Sequence, residues 1–340
     1  MSPPRTILVT GCAGFIGSHL CDRLLGEGET IVGLDNLITG KRRNLPDGTH
    51  LTFIEADVAD KAALEGLAPD LVVNLACPAS PVQYQADPLH TFRTSVLGTL
   101  NLAELALKNG ARLVHSSTSE VYGDPEVHPQ TEDYRGSVNP IGPRACYDEG
   151  KRAAETVLFD YRRTLDLDIG VARIFNTYGP RMDPYDGRVV ANFLRQALMG
   201  EPLTIYGDGR QTRSFCFVTD TVDALCRLAR APDGVTGPIN IGNPEERTIL
   251  ELAELVRELV GSVPIVFEPL PQDDPMKRKP AITRAGAVLD WTPRVPLREL
   301  HILPRKAPMC SSSMPGSPAT GCRMARRAST GRSGRRRTAC

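Results

Sequence analysis

Arg5-Thr6-Ile7-Leu8-Val9-Thr10-Gly11-Cys12-Ala13-Gly14-Phe15-Ile16-Gly17 opens the chain with a short apolar run followed by three evenly spaced glycines. The apolar run reads as a buried strand, and Ser18-His19-Leu20-Cys21-Asp22-Arg23-Leu24-Leu25 continues with helical spacing. A strand, a glycine turn and a helix in this order form the first unit of a dinucleotide-binding sheet. Gly11 permits a tight turn, Gly14 lets backbone approach a pyrophosphate, and Gly17 lets the helix lie close on the sheet. The helix N-terminus offers N–H donors and a partial positive charge to phosphates. The spacing is G-x-x-G-x-x-G rather than G-x-G-x-x-G, and taken alone it is equally well read as a glycine-rich turn without a ligand. The next strand shifts the balance, because Thr30-Ile31-Val32-Gly33-Leu34 ends in Asp35. A carboxylate at that spacing hydrogen-bonds a free ribose 2′-hydroxyl and repels a 2′-phosphate, so NAD is favoured over NADP. The basic run Lys41-Arg42-Arg43 weighs slightly the other way, or is a solvated loop.

Two further stretches point to the same site. Tyr147 and Lys151 are four residues apart and share a face if helical. A phenol titrates near 10 in water, about three units too high for a base at neutral pH. A lysine ammonium and a nicotinamide charge beside it are expected to favour the phenolate. A Y-x-x-x-K pair alone also fits an exposed amphipathic helix. Here it accompanies Ser117, Thr118 and Ser119 at the end of the strand Arg112-Leu113-Val114-His115. Hydroxyls at the C-terminal edge of a parallel sheet sit where ligands bind in such folds.

With these residues in view, the chain resembles the extended short-chain dehydrogenases/reductases from about Ile7 to about Leu300. Within them it resembles the UDP-glucuronic acid decarboxylase family. The most specific stretches are Ser116–Pro129, Asn139–Arg152, Val171–Arg181, Gln211–Arg213 and Gln272–Pro280. Related 4,6-dehydratases carry Thr-Asp-Glu where this chain has Thr118-Ser119-Glu120, and a serine cannot protonate a leaving hydroxyl. 4-Epimerases usually have a small residue at the position of Glu120. A carboxylate there, with an arginine from 272–280, suits a substrate whose C6 is itself a carboxylate. The resemblance therefore implies oxidation at C4, loss of carbon dioxide from the resulting β-keto acid, and re-reduction. NAD would be a retained cofactor and UDP-glucuronic acid the substrate. The alternatives are a sugar-nucleotide 4-epimerase, a 4,6-dehydratase or a non-catalytic NAD-binding protein.

The resemblance assigns catalysis to Thr118, Ser119, Glu120, Tyr147, Lys151 and Arg278. Cofactor contacts fall to Gly11, Gly14, Phe15, Ile16, Gly17, Asp35, Asn36, Asp57, Val58, Leu75, Ala76, Thr94, Tyr147 and Lys151. Substrate contacts fall to Glu120, Asn176, Arg188, Asn192, Tyr206, Arg213 and Arg278. Arginine suits such contacts because its planar fork binds phosphate or carboxylate through two bonds. Read singly, each arginine fits a surface ion pair as well. Arg278 is open between holding phosphate, holding the carboxylate and placing a proton donor. Three departures stand out: Asn74 for a usual His, Ser95 for a usual Asn, and Ala281 for a usual Asp. The first two are expected to loosen hydrogen bonds beside the cofactor, and Ala281 to loosen the loop that carries Arg278.

The C-terminus departs most. Residues 301–340 hold nine Lys/Arg and no Asp/Glu. Subtracting them from the chain's 40 basic and 40 acidic residues leaves 31 and 40, so a body near −9 carries a tail near +9. Four Pro, six Ser and almost no apolar periodicity predict disorder there. The tail reads as a basic arm for nucleic acid or anionic lipid, or, preferably, as an altered reading frame near the end of a GC-rich gene, because the break falls mid-motif. No nucleic-acid partner is therefore expected.

Alternating strands and helices through about residue 175 predict an α/β, doubly wound (Rossmann-type) parallel sheet. Its strands are expected near Ile7–Thr10, Ile31–Asp35, Leu51–Glu55, Leu71–Leu75, Arg112–Ser116 and Ile169–Ile174. Residues 176–300 are expected to form a smaller mixed α/β substrate lobe, with strands near Leu203–Ile205 and Ile265–Phe267 and a helix near Leu250–Val260. Phe215–Val218 and Ile239–Ile241 are expected to return to the cofactor lobe. The helix-like stretches Asp87–Lys108 and Tyr147–Leu165 are apolar on more than one side, and the resemblance implies a homodimer through them. The first strand begins by residue 6, so neither a signal peptide nor a membrane anchor is expected. Nine scattered cysteines without paired spacing predict no metal site and fit a reduced cytoplasm.

Overall fold

The computed structural model describes residues 4–271 and 275–298. The basic tail 301–340 and the start of the Gln272–Pro280 stretch lie outside the described residues. The central element is a seven-stranded sheet. Six strands come from the first half: β1 (Thr6–Thr10), β2 (Thr30–Asp35), β3 (Leu51–Glu55), β4 (Leu71–Asn74), β5 (Arg112–Thr118) and β6 (Ile169–Ile174). The next four strands in the chain lie outside it: β7 (Thr177–Tyr178), β8 (Leu203–Tyr206), β9 (Thr212–Ser214) and β10 (Cys216–Phe217). The seventh sheet strand is β11 (Ile239–Ile241), and the order is β11-β6-β5-β4-β1-β2-β3, parallel throughout.

Period-two alternation sends neighbouring side chains to opposite faces. Ile7 and Val9 enter one core with Leu20, Leu24 and Val222. Leu8, Val72 and Leu113 enter the other with Leu102, Ala106 and Leu158. Helices α1 (Phe15–Gly26), α2 (Pro81–Ala86), α3 (Pro88–Asn109), α4 (Ala145–Leu165), α5 (Val189–Met199) and α6 (Val218–Ala229) follow in chain order. Helices α1 and α6 pack on the first core, α3 and α4 on the second. Asp87 caps α3 by accepting from the His90 N–H at 2.9 Å, with Pro88 in the first turn. Gly110, at φ 63°, ends that helix in the left-handed region that glycine tolerates.

Smaller sheets complete the unit. β12 (Glu246–Thr248) and β14 (Lys277–Arg278) flank β9, while β13 (Ile265–Glu268) pairs with β8. Phe215–Val218 supplies no strand to the central sheet: its β10 pairs with β7. The chain nevertheless returns there, because α6 packs on α1 and against β5 and β6. Helix α7 (Ile249–Leu259) begins with a reciprocal cap between Thr248 and Glu251. Helix α8 (Thr283–Leu289) leads to Trp291, whose indole N–H donates to the Asp220 carbonyl at 3.0 Å. The Asp220 carboxylate also accepts from the N–H groups of Arg294 and Val295, at 2.8 and 2.9 Å. The last described residues are thereby tied to α6.

β5 runs two residues past the expected Ser116, and Ser119–Tyr122 then form one 3-10 turn. The extension carries Ser117 and Thr118 to the sheet's C-terminal edge. Between β1 and β4 the strand order reverses, which opens a crevice at that same edge.

Candidate active site

A cavity of about 560 Å³ occupies this crevice. Its floor is the glycine turn. A Cβ on Gly11, at φ 70°, would come within 2.7 Å of the Leu75 carbonyl oxygen, and one on Gly17 within 2.0 Å of the Gly11 carbonyl oxygen. Gly14 caps α1 in extended conformation and offers no side chain. The first-turn amides of Phe15, Ile16 and Gly17, unpaired within any helix, belong to residues that line the cavity. Asp35 ends β2 at the same wall. Burial pushes its carboxyl above the usual range, against the opposing pull of N–H groups from Leu37 at 2.8 Å and Ala13 at 3.0 Å. This cradle fits the pyrophosphate and ribose of a dinucleotide. In the basic run, Lys41 ion-pairs with Asp183, and Arg42 pairs with Glu55 at 2.5 Å while stacking over Phe53.

Asn36, Val58, Leu75, Ala76 and Thr94 also line the cavity. Asp57 does not: it sits behind the wall, accepting from Asn36 Nδ2 at 3.1 Å and lying 3.6 Å from His90 Nδ1. The substituted Asn74 does not loosen this region. It accepts from Thr10 Oγ1 at 2.8 Å and from the Ala76 N–H at 3.2 Å, and its Nδ2 lies 3.2 Å from His115 Nδ1. Ser95 is fully buried, 3.2 Å from the Cys77 thiol, and a Cβ on Gly150 would lie 3.1 Å from its own Cβ. Its small size lets α3 approach α4 closely.

Tyr147 and Lys151 share one face of α4 and both line the cavity. Tyr147 is 6% exposed, hydrogen-bonds Thr118 and stacks on Tyr84 with ring centroids 5.1 Å apart. Against the expected pull of Lys151 and a nicotinamide charge toward the phenolate, burial of the phenol acts the other way. Burial pushes the phenol up, and Cys77 adds to the rise. Lys151 donates to the Ser116 carbonyl at 2.8 Å, and burial lowers its own pKa. Thr118 and Ser119 line the wall beside Tyr147, and Thr118 Oγ1 accepts from the Glu120 N–H at 3.2 Å.

Glu120 is held from both sides. Arg144 donates to one carboxylate oxygen at 2.5 Å and Arg278 to the other. Burial alone would raise this carboxyl, but Arg278 and then Arg144 hold it well below the usual range. Arg278 is 2% exposed and also donates to the Gly123 carbonyl at 3.0 Å, so both its terminal nitrogens are engaged within the protein. The loop carrying it is not loosened by Ala281. Gln130 accepts from the Lys279 N–H at 2.7 Å through its side chain and from the Ala281 N–H at 2.8 Å through its carbonyl.

The remaining predicted contacts reach the same cavity. Asn176, Arg188, Asn192, Tyr206 and Arg213 all line it. The Asn176 side-chain Nδ2 is buried without a hydrogen-bond partner, as expected of a donor awaiting a ligand. Arg188 pairs with Asp186, one bond measuring 2.9 Å, and Asn192 Nδ2 donates to the Gly187 carbonyl at 3.0 Å. Sequence reasoning missed Arg144, Tyr84 and Cys77. Only the Arg144–Asp148 spacing, one helical turn, offered a signal.

The NAD dependent epimerase/dehydratase family model matches residues 7–242. UDP-glucuronic acid decarboxylase 3 of Arabidopsis thaliana is 54% identical over 302 residues, covering 87% of each chain. The chain belongs to the UDP-glucuronic acid decarboxylase family. Another decarboxylase of that family, number 2 of the same plant, is 52% identical over 86% of this chain, which spans 66% of that relative's length. Among solved structures, the UDP-glucuronic acid 4-epimerase of Bacillus cereus, in complex with UDP-glucuronic acid and NAD, superposes with a TM-score of 0.77. It is 28% identical over 86% of this chain and 96% of its own. The same fold carries both ligands in that neighbour.

Proposed function

We propose that this chain decarboxylates UDP-glucuronic acid to UDP-xylose with a retained NAD. The observation that carries the reading is Glu120, clamped between Arg144 and Arg278 in the cavity that also holds Tyr147. The glycine turn and Asp35 would hold NAD, which would supply a reversible hydride acceptor for C4 and a nicotinamide charge favouring the Tyr147 phenolate that burial disfavours. Tyr147 accepts the proton of the C4 hydroxyl and later gives it back. Thr118 and Ser119 orient that oxygen. The ketone at C4 is β to the C6 carboxylate, so carbon dioxide leaves with its bonding electrons accepted by the ketone, and C5 is then protonated. The Glu120 clamp orients C5 and C6. Asn176 and Arg213 bind the diphosphate side, and Arg188, Asn192 and Tyr206 the nucleoside.

Purified protein should carry NAD and form UDP-xylose and carbon dioxide from UDP-glucuronic acid with no added cofactor. Mass spectrometry of the sugar nucleotide checks this. A product that retains six sugar carbons would make the chain an epimerase or dehydratase instead.

The chain is further proposed to act as a homodimer through α3 and α4. Leu89, Phe92 and Leu97 stand exposed on α3, in keeping with a covered face. A reducing, cytoplasmic setting is proposed as well, in keeping with six unpaired cysteines among the described residues.

A further inference from the structure

The turn that carries Glu120 and the strand that carries Arg278 are joined a second time, behind the cavity wall. Tyr122 closes that turn, is fully buried, and donates its hydroxyl to Asn240 Oδ1 at 2.7 Å. The same hydroxyl accepts from Arg173 Nη1 at 3.0 Å. A guanidinium only donates, so the hydroxyl proton must point to Asn240, and that fixes which way the amide faces. Asn240 Nδ2 then donates to the carbonyls of Gln130 at 3.0 Å and Ala281 at 3.1 Å. Gln130 is the residue that accepts from the Lys279 and Ala281 N–H groups beside Arg278. Burial pushes the Tyr122 phenol up to about 12, against the pull of Arg173, so it stays a neutral donor at neutral pH. Asn240 itself is fully buried on β11, and its N–H donates to Glu132 at 3.0 Å. Tyr122, Asn240 and Gln130 do not line the cavity.

A separate branch of the same network holds the C4 side. Ser117 Oγ donates to Glu155 at 2.5 Å, and Glu155 accepts two bonds from Arg173, at 2.9 and 2.7 Å. Arg173 Nη1 also donates to the Glu132 carbonyl at 3.0 Å. Losing the Tyr122 hydroxyl leaves all of these bonds in place.

We propose that Asn240 is a positioning residue that sets the spacing of Glu120 and Arg278, and so governs the steps at C5 and C6 without touching oxidation at C4. This rests on the decarboxylase reading. A guanidinium on a long arm meets its carboxylate reliably only when the backbone at both ends is fixed. Asn240 fixes both ends through one side chain, with Tyr122 on one side and Gln130 and Ala281 on the other.

Two variants cut this tie from opposite sides. Tyr122→Phe removes it on the Glu120 side, while the ring keeps its place beside Tyr134 and Phe175 and under Arg173. Asn240→Asp removes it on the Arg278 side, because an aspartate still accepts from Tyr122 but cannot donate to two carbonyls. In NAD-loaded protein each should lower kcat for UDP-xylose about tenfold with KM changed less than about twofold, since displaced reacting groups cost up to about 10²-fold. Single turnovers by rapid mixing should show C4 oxidation, read from the absorbance of reduced nicotinamide, at the wild-type rate and carbon dioxide release delayed. The double variant should be no slower than the slower single variant, because the tie is cut only once. An unchanged kcat, equal slowing of oxidation and carbon dioxide release, or effects that multiply in the double variant overturns the proposal.

Hydrogen exchange gives a reading that needs no turnover. In ligand-free Asn240→Asp the Lys279 and Ala281 amides should exchange about tenfold faster than in wild type, because their acceptor Gln130 has lost its own anchor. Unchanged exchange overturns the assignment. Failure of the decarboxylase reading would be seen separately, as a six-carbon sugar in the wild-type product.

Discussion

Tyr147→Phe should lower turnover by about 10²-fold or more, the usual scale for losing a positioned acid–base group. The ring keeps its stacking on Tyr84, and only the hydroxyl bonded to Thr118 is lost. Loss of one such bond changes stability by roughly 0.5–1.5 kcal/mol, so the fold and the bound NAD should survive. Steady-state kinetics should place the defect in kcat rather than KM, since the oxygen acts on the reacting hydroxyl and not on the nucleotide. Near-normal turnover in a variant that retains NAD would remove Tyr147 from the role of base.

Arg278→Ala should be both inactive and unstable. It leaves Glu120 buried with Arg144 alone and strips the Gly123 carbonyl of its donor. Removing one partner of a buried pair costs about 3–5 kcal/mol, which for a chain of this size lowers the melting temperature by roughly 6 °C or more. Glu120→Ala in the same background should restore part of the stability, because the stranded carboxylate is gone, yet restore no activity. Glu120→Ala alone should leave NAD affinity nearly unchanged, as the clamp lies apart from the glycine turn. Wild-type melting and turnover in Arg278→Ala would show that the arginine is not part of the site.

Much of this is legible in the sequence alone. The glycine turn is read from spacing because only residues without a Cβ fit where Gly11 and Gly17 stand, within 2.7 and 2.0 Å of carbonyl oxygens. Tyr147 and Lys151 are read from helical periodicity, a local property. The central strands follow from apolar runs whose alternate residues feed two cores. Where local pattern was thin, as in the two-residue β10, pairing could not be foreseen. A strand that short is defined by its partner β7 rather than by its own residues.

Asn74, Ser95 and Ala281 teach the same lesson from the other side. Each departs from its family's pattern, and each was expected to loosen something. Asn74 bonds Thr10 and Ala76, Ser95 gives α4 the room to approach, and the backbone of Ala281 is held by Gln130. Whether a replacement loosens a structure depends on which neighbours reach the new atoms, and those neighbours are distant in sequence.

By itself, then, the sequence determined the parallel α/β class, the dinucleotide turn with Asp35, and the Tyr147–Lys151 pair, all features set within a few residues of chain. Only the tertiary structure decided the electrostatics. It brought Arg278 to Glu120 across 158 residues and Arg144 to the same carboxylate across 24. It buried the Tyr147 phenol, which opposes the phenolate, and it set Asp148 against Glu120. The physical reason is that charge state depends on burial and on partners within a few ångströms, and both are fixed only when distant segments pack together.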